Sequence, residues 1–155
     1  MTPATIALDK AKIDYQLLEY QHETGNAFGL EAAQKLNLAV ELVFKTLVAE
    51  LDTGKLVVAI IPVAQKLNMK QLAKAAGAKK AAMASPDKVQ RSTGYVLGGV
   101  SPVGQKKPLA TFIDASAAEL KTIYVSGGRR GLDIALAPAD LAQITRAKPV
   151  PLTQG

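Results

Sequence analysis

The stretch LVFKTLVAELDTGKLVVAIIPV, Leu42 to Val63, decides the predicted fold. It consists of two strongly apolar runs, LVFKTLVAEL and KLVVAIIPV, which flank the short polar sequence Asp52-Thr53-Gly54. Short apolar runs rich in β-branched residues on either side of a glycine turn are typical of a β-hairpin. The stretch therefore predicts two consecutive antiparallel strands.

The sequence around this hairpin predicts further strands and helices without strict β-α-β alternation. Capping residues and prolines predict helices that open at Thr2-Pro3, Asn68, Ser85-Pro86 and near Pro138. The sequence LEAAQKL predicts a further helix over Leu30–Leu36. Apolar runs predict strands at Ile13–Tyr20 and in TFIDA, TIYVSGG and LDIALA. Hairpin-like runs of strands favour an α+β fold, a mixed and mostly antiparallel sheet surrounded by helices. The sheet is expected to be curled or barrel-like, although periodicity alone does not establish closure.

Composition predicts one globular domain that spans residues 1–155. The chain is 48% hydrophobic and 21% charged, with no internal repeat or change of composition. No apolar run approaches the roughly 20 residues that a membrane span needs. The first residues, MTPATIALDKAK, lack the features of a signal peptide. A cytoplasmic protein without membrane association is therefore expected.

The residue types present exclude several kinds of catalytic site. There is no cysteine, which excludes disulfides, thiolate metal sites and a cysteine nucleophile. The single histidine, His22, is a poor basis for a zinc site, and no G-x-S-x-G motif presents a serine to it. We therefore expect no metal and no cofactor.

The formal net charge of +6 suits a polyanionic partner such as nucleic acid. Solubility alone is the alternative explanation, because many small proteins carry a similar charge without an anionic ligand.

Lys45 interrupts the first apolar run of the hairpin. In a strand it shares one face with Val43 and Leu47, and both faces are predicted to be buried. A buried ammonium group needs a carboxylate, an anionic ligand or a lowered pKa, so Lys45 is predicted to face the interior or a pocket. The alternative is a lysine at a strand end that reaches solvent.

Two polar residues near the end of the chain are comparable. Asp133 lies in the apolar run LDIALA and could neutralise Lys45, cap the turn at Gly131 or bind a ligand amine. Ser126 precedes two glycines and could offer a hydroxyl and a backbone N–H to a ligand, although turn formation is the commoner role of Ser-Gly-Gly.

The segment RSTGYVLGGVSPVGQKK, Arg91 to Lys107, combines four glycines with three cations and has no acidic residue or histidine. Such a segment offers a ligand bare backbone and positive charge rather than an acid–base group.

Together these segments resemble the YbaK family. Its members are free-standing aminoacyl-tRNA deacylases, related to the editing domain inserted in bacterial prolyl-tRNA synthetases. The resemblance covers nearly the whole chain and is carried by MTPA, VFKTL, GAKK, QRSTGYVLGGVSPVGQKK and TIYVSGGRRGLDI. It is closest to members that deacylate Cys-tRNA(Pro), and it implies a mixed, barrel-like sheet surrounded by helices.

The resemblance implies roles for individual residues. The catalytic positions of the family fall on Lys45, Gly98 and Ser126, and the positions that bind substrate fall on Tyr20, Phe28, Thr46, Gly99 and Asp133. Backbone N–H groups at the glycine turn would hold the carbonyl oxygen of the ester. The cations Arg91, Lys106 and Lys107 would contact phosphates of the tRNA acceptor end.

The resemblance further implies that the thiol of the bound cysteine attacks its own ester. It also implies that prolyl-tRNA synthetase is the partner that supplies selectivity for tRNA(Pro), and no DNA is expected to bind. Two alternatives stay open. The chain could be an Ala-tRNA(Pro) or broad-range deacylase that uses an activated water, or a non-catalytic tRNA-binding module.

Overall fold

A computed structural model describes residues 1–23 and 28–154 of the chain. The helices are α1 Pro3–Lys10, α2 Phe28–Lys35, α3 Met69–Ala75, α4 Pro86–Thr93 and α5 Pro138–Thr145. The strands are β1 Gln16–Glu19, β2 Phe44–Leu51, β3 Leu56–Pro62, β4 Ala81–Met83, β5 Ala110–Asp114, β6 Ile123–Arg129, β7 Leu132–Leu136 and β8 Lys148–Val150. Short 3-10 helices cover Val40–Leu42 and Ala115–Glu119.

The predicted hairpin is confirmed. Strands β2 and β3 pair antiparallel from Phe44 opposite Pro62 to Glu50 opposite Leu56. Gly54 takes φ +91° in the connecting turn, a left-handed conformation that glycine adopts without steric cost. The turn thus fixes the register that brings the start of β2 beside the end of β3.

The strands form two sheets. One has the order β1-β7-β6, and the other has the order β4-β2-β3-β5-β8. The pairs β3–β5 and β5–β8 are parallel and the other pairs are antiparallel, so the predicted mixed and mostly antiparallel α+β fold is confirmed. A parallel bridge between Val43 and Tyr124 joins the sheets at one point.

The expectation of a barrel-like sheet is too strong. Two sheets joined at one bridge do not close, because β1, β4 and β8 remain edge strands within the part of the chain that the structure describes. The largest hydrophobic core lies between the two sheets and the helices. Phe44, Val48 and Ile60 contribute to it from the hairpin, and Val125 and Ile134 from the smaller sheet.

The helix starts predicted at Thr2-Pro3, Asn68 and Ser85-Pro86 are confirmed by their capping contacts. The side chain of Asn68 accepts a hydrogen bond from the N–H of Gln71, and Ser85 accepts one from the N–H of Lys88. Thr2 caps α1 and also donates its hydroxyl to the carbonyl of Gly127 at 2.5 Å. The first helix is thereby tied to the glycine-rich end of β6.

Candidate active site

A cavity of about 330 Å³ is lined by residues of both sheets, of α2 and of the segment 97–100. Most of the surface of this cavity is apolar, so the few polar groups stand out. Six residues predicted from the sequence line it: Tyr20, Lys45, Thr46, Gly98, Ser126 and Asp133. Residues distant in the sequence therefore meet around one small space of the size that takes a small ligand.

Lys45 is half-buried in the wall of this cavity. Burial lowers the pKa of its ammonium group below the ordinary value. Within the described residues, no hydrogen bond or ion pair neutralises Lys45, so the cation is available to an anionic or strongly polar ligand.

Thr46 lies next to Lys45 and also lines the cavity, because the cavity wraps around the start of β2. Its Oγ1 is buried and has no hydrogen-bond partner among the described residues. Since buried hydroxyls are normally satisfied, this oxygen is a candidate to contact a ligand.

Asp133 is a buried carboxyl group, only 5% exposed. Burial raises its pKa from 3.8 to about 7. It lies on β7 opposite Ser126 on β6 and opposite Leu18 on β1. In the described part of the chain it forms neither an ion pair with Lys45 nor a cap of the Gly131 turn, which leaves a ligand amine as the remaining predicted partner.

Tyr20 is fixed at the rim of the cavity by the turn between β6 and β7. Its backbone N–H donates to the carbonyl of Gly131 at 2.9 Å. A Cβ on Gly131, which has φ +83°, would lie 2.6 Å from the carbonyl oxygen of Tyr20, so only glycine permits this approach. Burial, followed by the nearby Asp133, raises the pKa of Tyr20 to about 12.

Gly98 occupies a β-turn at the cavity. The N–H of Gly99 donates to the carbonyl of Val96 at 2.9 Å, and Gly98 has φ +87°. A positive φ at the third turn residue alone is the signature of a type II turn. The N–H of Gly98 makes no hydrogen bond within the described residues, so it is free to donate to a ligand.

Gly99, predicted to bind substrate, does not line the cavity. A Cβ at this position would lie 2.8 Å from Cα of Arg129 and 3.1 Å from the backbone nitrogen of Arg130. The absence of a side chain thus allows the glycine-rich loop to pack directly on the turn between β6 and β7.

Ser126 lines the cavity and also takes part in turn formation. Its Oγ accepts a hydrogen bond from the N–H of Gly128 at 3.2 Å, where the pairing of β6 with β7 shifts register. The role in turn formation is therefore observed, and the hydroxyl proton donates no hydrogen bond within the described residues, so a contact with a ligand stays a prediction.

The structure brings Arg91, Lys106 and Lys107 together. The N–H groups of Lys106 and Lys107 donate to the carbonyls of Thr93 and Ser92 at 2.9 Å, which closes the base of the loop beside the last turn of α4. We call Arg91, Lys106 and Lys107 the loop-base cations. They are exposed and form no ion pair with a described carboxylate.

Sequence reasoning missed two features of the site. Buried Glu31, 3% exposed, accepts from the N–H of Glu23 at 2.8 Å and lies 2.6 Å from Nδ1 of His22. This network attaches the residues that follow β1 to α2, which forms one wall of the cavity. An acidic residue in the first turn of a helix was the available signal.

The second missed feature is Arg130. Its Nε and Nη2 donate to the carbonyl oxygen of Leu97 at 3.1 and 2.9 Å. The two residues are 33 positions apart, so no local pattern announces the contact.

The predicted role of Phe28 and the expected absence of a metal and of membrane association stay predictions. Phe28 begins α2, but its side chain lies outside the described residues. In the ranges that the structure describes, no cluster of three His, Cys, Asp or Glu side chains could hold a metal. No helix in these ranges is both long and apolar enough to cross a membrane.

Comparisons with known proteins agree on one family. The family model that describes the aminoacyl-tRNA editing domain matches residues 24–144 of this chain. An Enterococcus faecalis protein, provisionally named Cys-tRNA(Pro)/Cys-tRNA(Cys) deacylase EbsC, is 35% identical over 147 residues, which are 95% of this chain and 90% of that protein.

Two solved structures share the fold. One, provisionally described as a trans-editing enzyme for prolyl tRNA synthetase, has a TM-score of 0.86 at 24% identity, covering 99% of this chain and 96% of that one. The hypothetical protein APE2540 has a TM-score of 0.88 at 26% identity, covering 98% of this chain and 99% of that one.

Proposed function

The chain belongs to the aminoacyl-tRNA editing domain family, and we propose that it is a deacylase that removes a mischarged amino acid from tRNA. The reaction cleaves the ester between the amino acid and the 3′ adenosine. Residues 1–155 would act as one editing domain in the cytoplasm.

One observation carries this proposal: the free N–H of Gly98 and the unpaired ammonium of Lys45 line the same small cavity. When an ester is attacked, negative charge develops on its carbonyl oxygen. Preorganised donors in a partly desolvated site stabilise that charge more strongly than water does. The N–H of Gly98 would hold the carbonyl oxygen, and Lys45 would stabilise the charge and orient the 3′-terminal ribose.

The other polar groups would recognise the amino acid. The buried carboxyl of Asp133 suits the α-amino group, because an ammonium beside it would favour its ionised form. The unpartnered Thr46 Oγ1 and the Ser126 hydroxyl would contact the ester or the ribose.

We propose Cys-tRNA(Pro) as the substrate, supported by the name of the 35% identical relative. Proline-sized pockets of synthetases also admit cysteine, since small differences in side-chain volume give only about 10- to 200-fold discrimination. A second site that clears the product is therefore useful.

The attacking group would be the thiol of the substrate cysteine. Its sulfur forms a bond to the carbonyl carbon, the bond to the 3′ oxygen breaks, and the thiol proton ends on the released 3′-hydroxyl. The product is a cyclic thiolactone, which water then opens. An aligned intramolecular group supplies a large effective molarity, so the cavity needs only to position and stabilise.

The loop-base cations would contact phosphates of the acceptor end, and prolyl-tRNA synthetase would supply the selectivity for tRNA(Pro). A short exposed cluster of three cations offers charge without base-specific contacts. Binding to tRNA alone is therefore expected to be weak and sensitive to salt.

The test is to incubate the protein with Cys-, Ala- and Pro-tRNA(Pro) and to follow loss of the ester. The proposal expects rapid loss from Cys-tRNA(Pro) only. Rapid loss from Ala-tRNA(Pro) would instead indicate a deacylase that activates water, and tRNA binding without cleavage of any of the three would leave only a binding module.

A further inference from the structure

Arg130 contacts the one peptide unit on which the proposed reaction depends. The carbonyl of Leu97 and the N–H of Gly98 belong to the same planar peptide. Arg130 donates two hydrogen bonds to that carbonyl, from Nε at 3.1 Å and Nη2 at 2.9 Å. Arg130 does not itself line the cavity, so this shared peptide is the route by which the guanidinium could influence the Gly98 N–H.

This peptide is the central unit of the turn Val96–Gly99. In a β-turn, the central peptide is the one that reverses between type I and type II, because these types differ in ψ of the second residue and φ of the third. Reversal exchanges the sides on which the Leu97 carbonyl and the Gly98 N–H lie. A guanidinium that holds the carbonyl on one side therefore holds the N–H on the other.

The positive charge of Arg130 strengthens its hydrogen bonds to the carbonyl of Leu97. Hydrogen bonds from an ionised donor are roughly twice as strong as neutral ones. Hydrogen bonds in series polarise one another, so a cation on the carbonyl makes the N–H of the same peptide a better donor.

The surrounding packing brings the guanidinium to this place. Gly99 lies against the backbone of Arg129 and Arg130, where a Cβ would come within 2.8 Å of Cα of Arg129. Thr2 fixes the end of β6 that precedes this turn, because its hydroxyl donates a hydrogen bond to the carbonyl of Gly127. The two glycine-rich segments of the sequence thus pack directly against each other at this place.

We propose that Arg130 is a positioning residue that locks the Leu97–Gly98 peptide in the orientation presenting the Gly98 N–H to the ester carbonyl. This proposal rests on the proposed deacylase function. Removal of a complete oxyanion donor lowers kcat by about 10²- to 10³-fold, and a donor that is present but unlocked retains part of that effect.

The experiment compares Arg130→Met with the matched variant Arg129→Met. Both remove one exposed positive charge at adjacent positions, but the guanidinium of Arg129 forms a long ion pair with Glu19, at 3.8 Å, and no described hydrogen bond to Leu97. With Cys-tRNA(Pro), Arg130→Met is expected to lower kcat by roughly 10- to 100-fold with KM within about twofold, since the positioned donor acts in the transition state. Arg129→Met should keep kcat, and Arg130→Lys should restore part of the loss.

A second measurement does not depend on activity. The backbone amide resonance of Gly98 should shift and broaden in Arg130→Met but not in Arg129→Met, because the unlocked peptide exchanges between two orientations. If both variants behave alike in kcat and in this resonance, the proposal is wrong. If Arg130→Met instead raises KM and flattens the salt dependence, Arg130 is a phosphate contact, and the proposal is wrong as well. If the wild-type protein cleaves no ester, the proposed function fails, while the resonance still decides whether Arg130 locks the peptide.

Discussion

Lys45 and the loop-base cations carry the same unit charge in opposite surroundings. Lys45 is half-buried among aliphatic residues, and burial lowers its pKa. Arg91, Lys106 and Lys107 are exposed at the base of the loop that carries Gly98. A charge in a desolvated wall acts strongly over a short distance, whereas exposed charges are screened within about 8 Å at physiological salt. The first arrangement suits a reacting ester, and the second suits a phosphate backbone.

The largest effect is expected for Lys45→Met, which keeps the aliphatic stem and removes the charge. Single-turnover cleavage of Cys-tRNA(Pro) should fall by about 10²- to 10³-fold, because the developing negative charge loses a desolvated cation. Thermal unfolding should change little. The matched control is Lys55→Met, an exposed lysine at the hairpin turn, which should cleave at the wild-type rate. Full activity in Lys45→Met would remove the distinction between the two sets of cations.

Gly98→Ala should lower the rate by about 10- to 100-fold while tRNA affinity changes by less than about twofold. Alanine disfavours φ +87°, so the turn is driven towards type I and the N–H turns away from the carbonyl. Gly54→Ala is the control, because Gly54 has φ +91° with open space around it and lies in the hairpin turn. Equal losses of binding and turnover in Gly98→Ala would show that the loop cradles phosphate instead.

The buried carboxyl predicts a dependence of stability on pH. The pKa of Asp133 is about 7 in the folded protein and 3.8 ordinarily, so between these values the folded state holds a proton that the unfolded state has released. The free energy of unfolding contributed by this group is complete below pH 3.8 and falls as pH rises towards 7, by at most about 1.4 kcal/mol per pH unit. Denaturant titrations from pH 4 to 8 should show wild type losing stability relative to Asp133→Asn. A constant difference would mean that Asp133 has an ordinary pKa.

The smallest effect is expected at the loop base. Reversal of Lys106 and Lys107 to glutamate should weaken tRNA binding a few-fold at low salt and reduce the slope of log affinity against log salt by about 0.7 to 0.9 per lost contact. The rate at saturating protein should stay within about twofold. Reversal of the exposed pair Lys79 and Lys80 controls for the change in net charge. If both pairs act alike, binding follows net charge rather than a located surface.

Features with a local signal could be predicted from the sequence. The hairpin has its glycine turn, the helix starts at Asn68 and Ser85 have their caps, and Lys45 is conspicuous because a charge interrupts an apolar run. The predicted strand Ile13–Tyr20 is shorter in the structure, Gln16–Glu19, because only these residues pair with β7.

Features that depend on distant partners could not be predicted. Strands β4 and β8 have three residues each, too few for a periodic pattern, and exist because β2 and β5 pair with them. Gly99 likewise packs on Arg129 only when the two glycine-rich segments meet. The hydrogen bonds from Arg130 to the carbonyl of Leu97 depend on the same meeting. The resemblance to the family identified six of the residues that line the cavity, but not the contact of Arg130 with Leu97.

The most direct test asks whether the cavity only positions a substrate that attacks itself. Single-turnover rates at saturating protein should be measured for Cys-tRNA(Pro) and Ser-tRNA(Pro), which differ by one atom, so that differences in binding drop out. The thiol is far more acidic than the hydroxyl and attacks more readily, so cleavage of the cysteine ester should be at least about tenfold faster. Equal rates for the two esters would show that an activated water attacks, and would contradict the substrate-assisted mechanism.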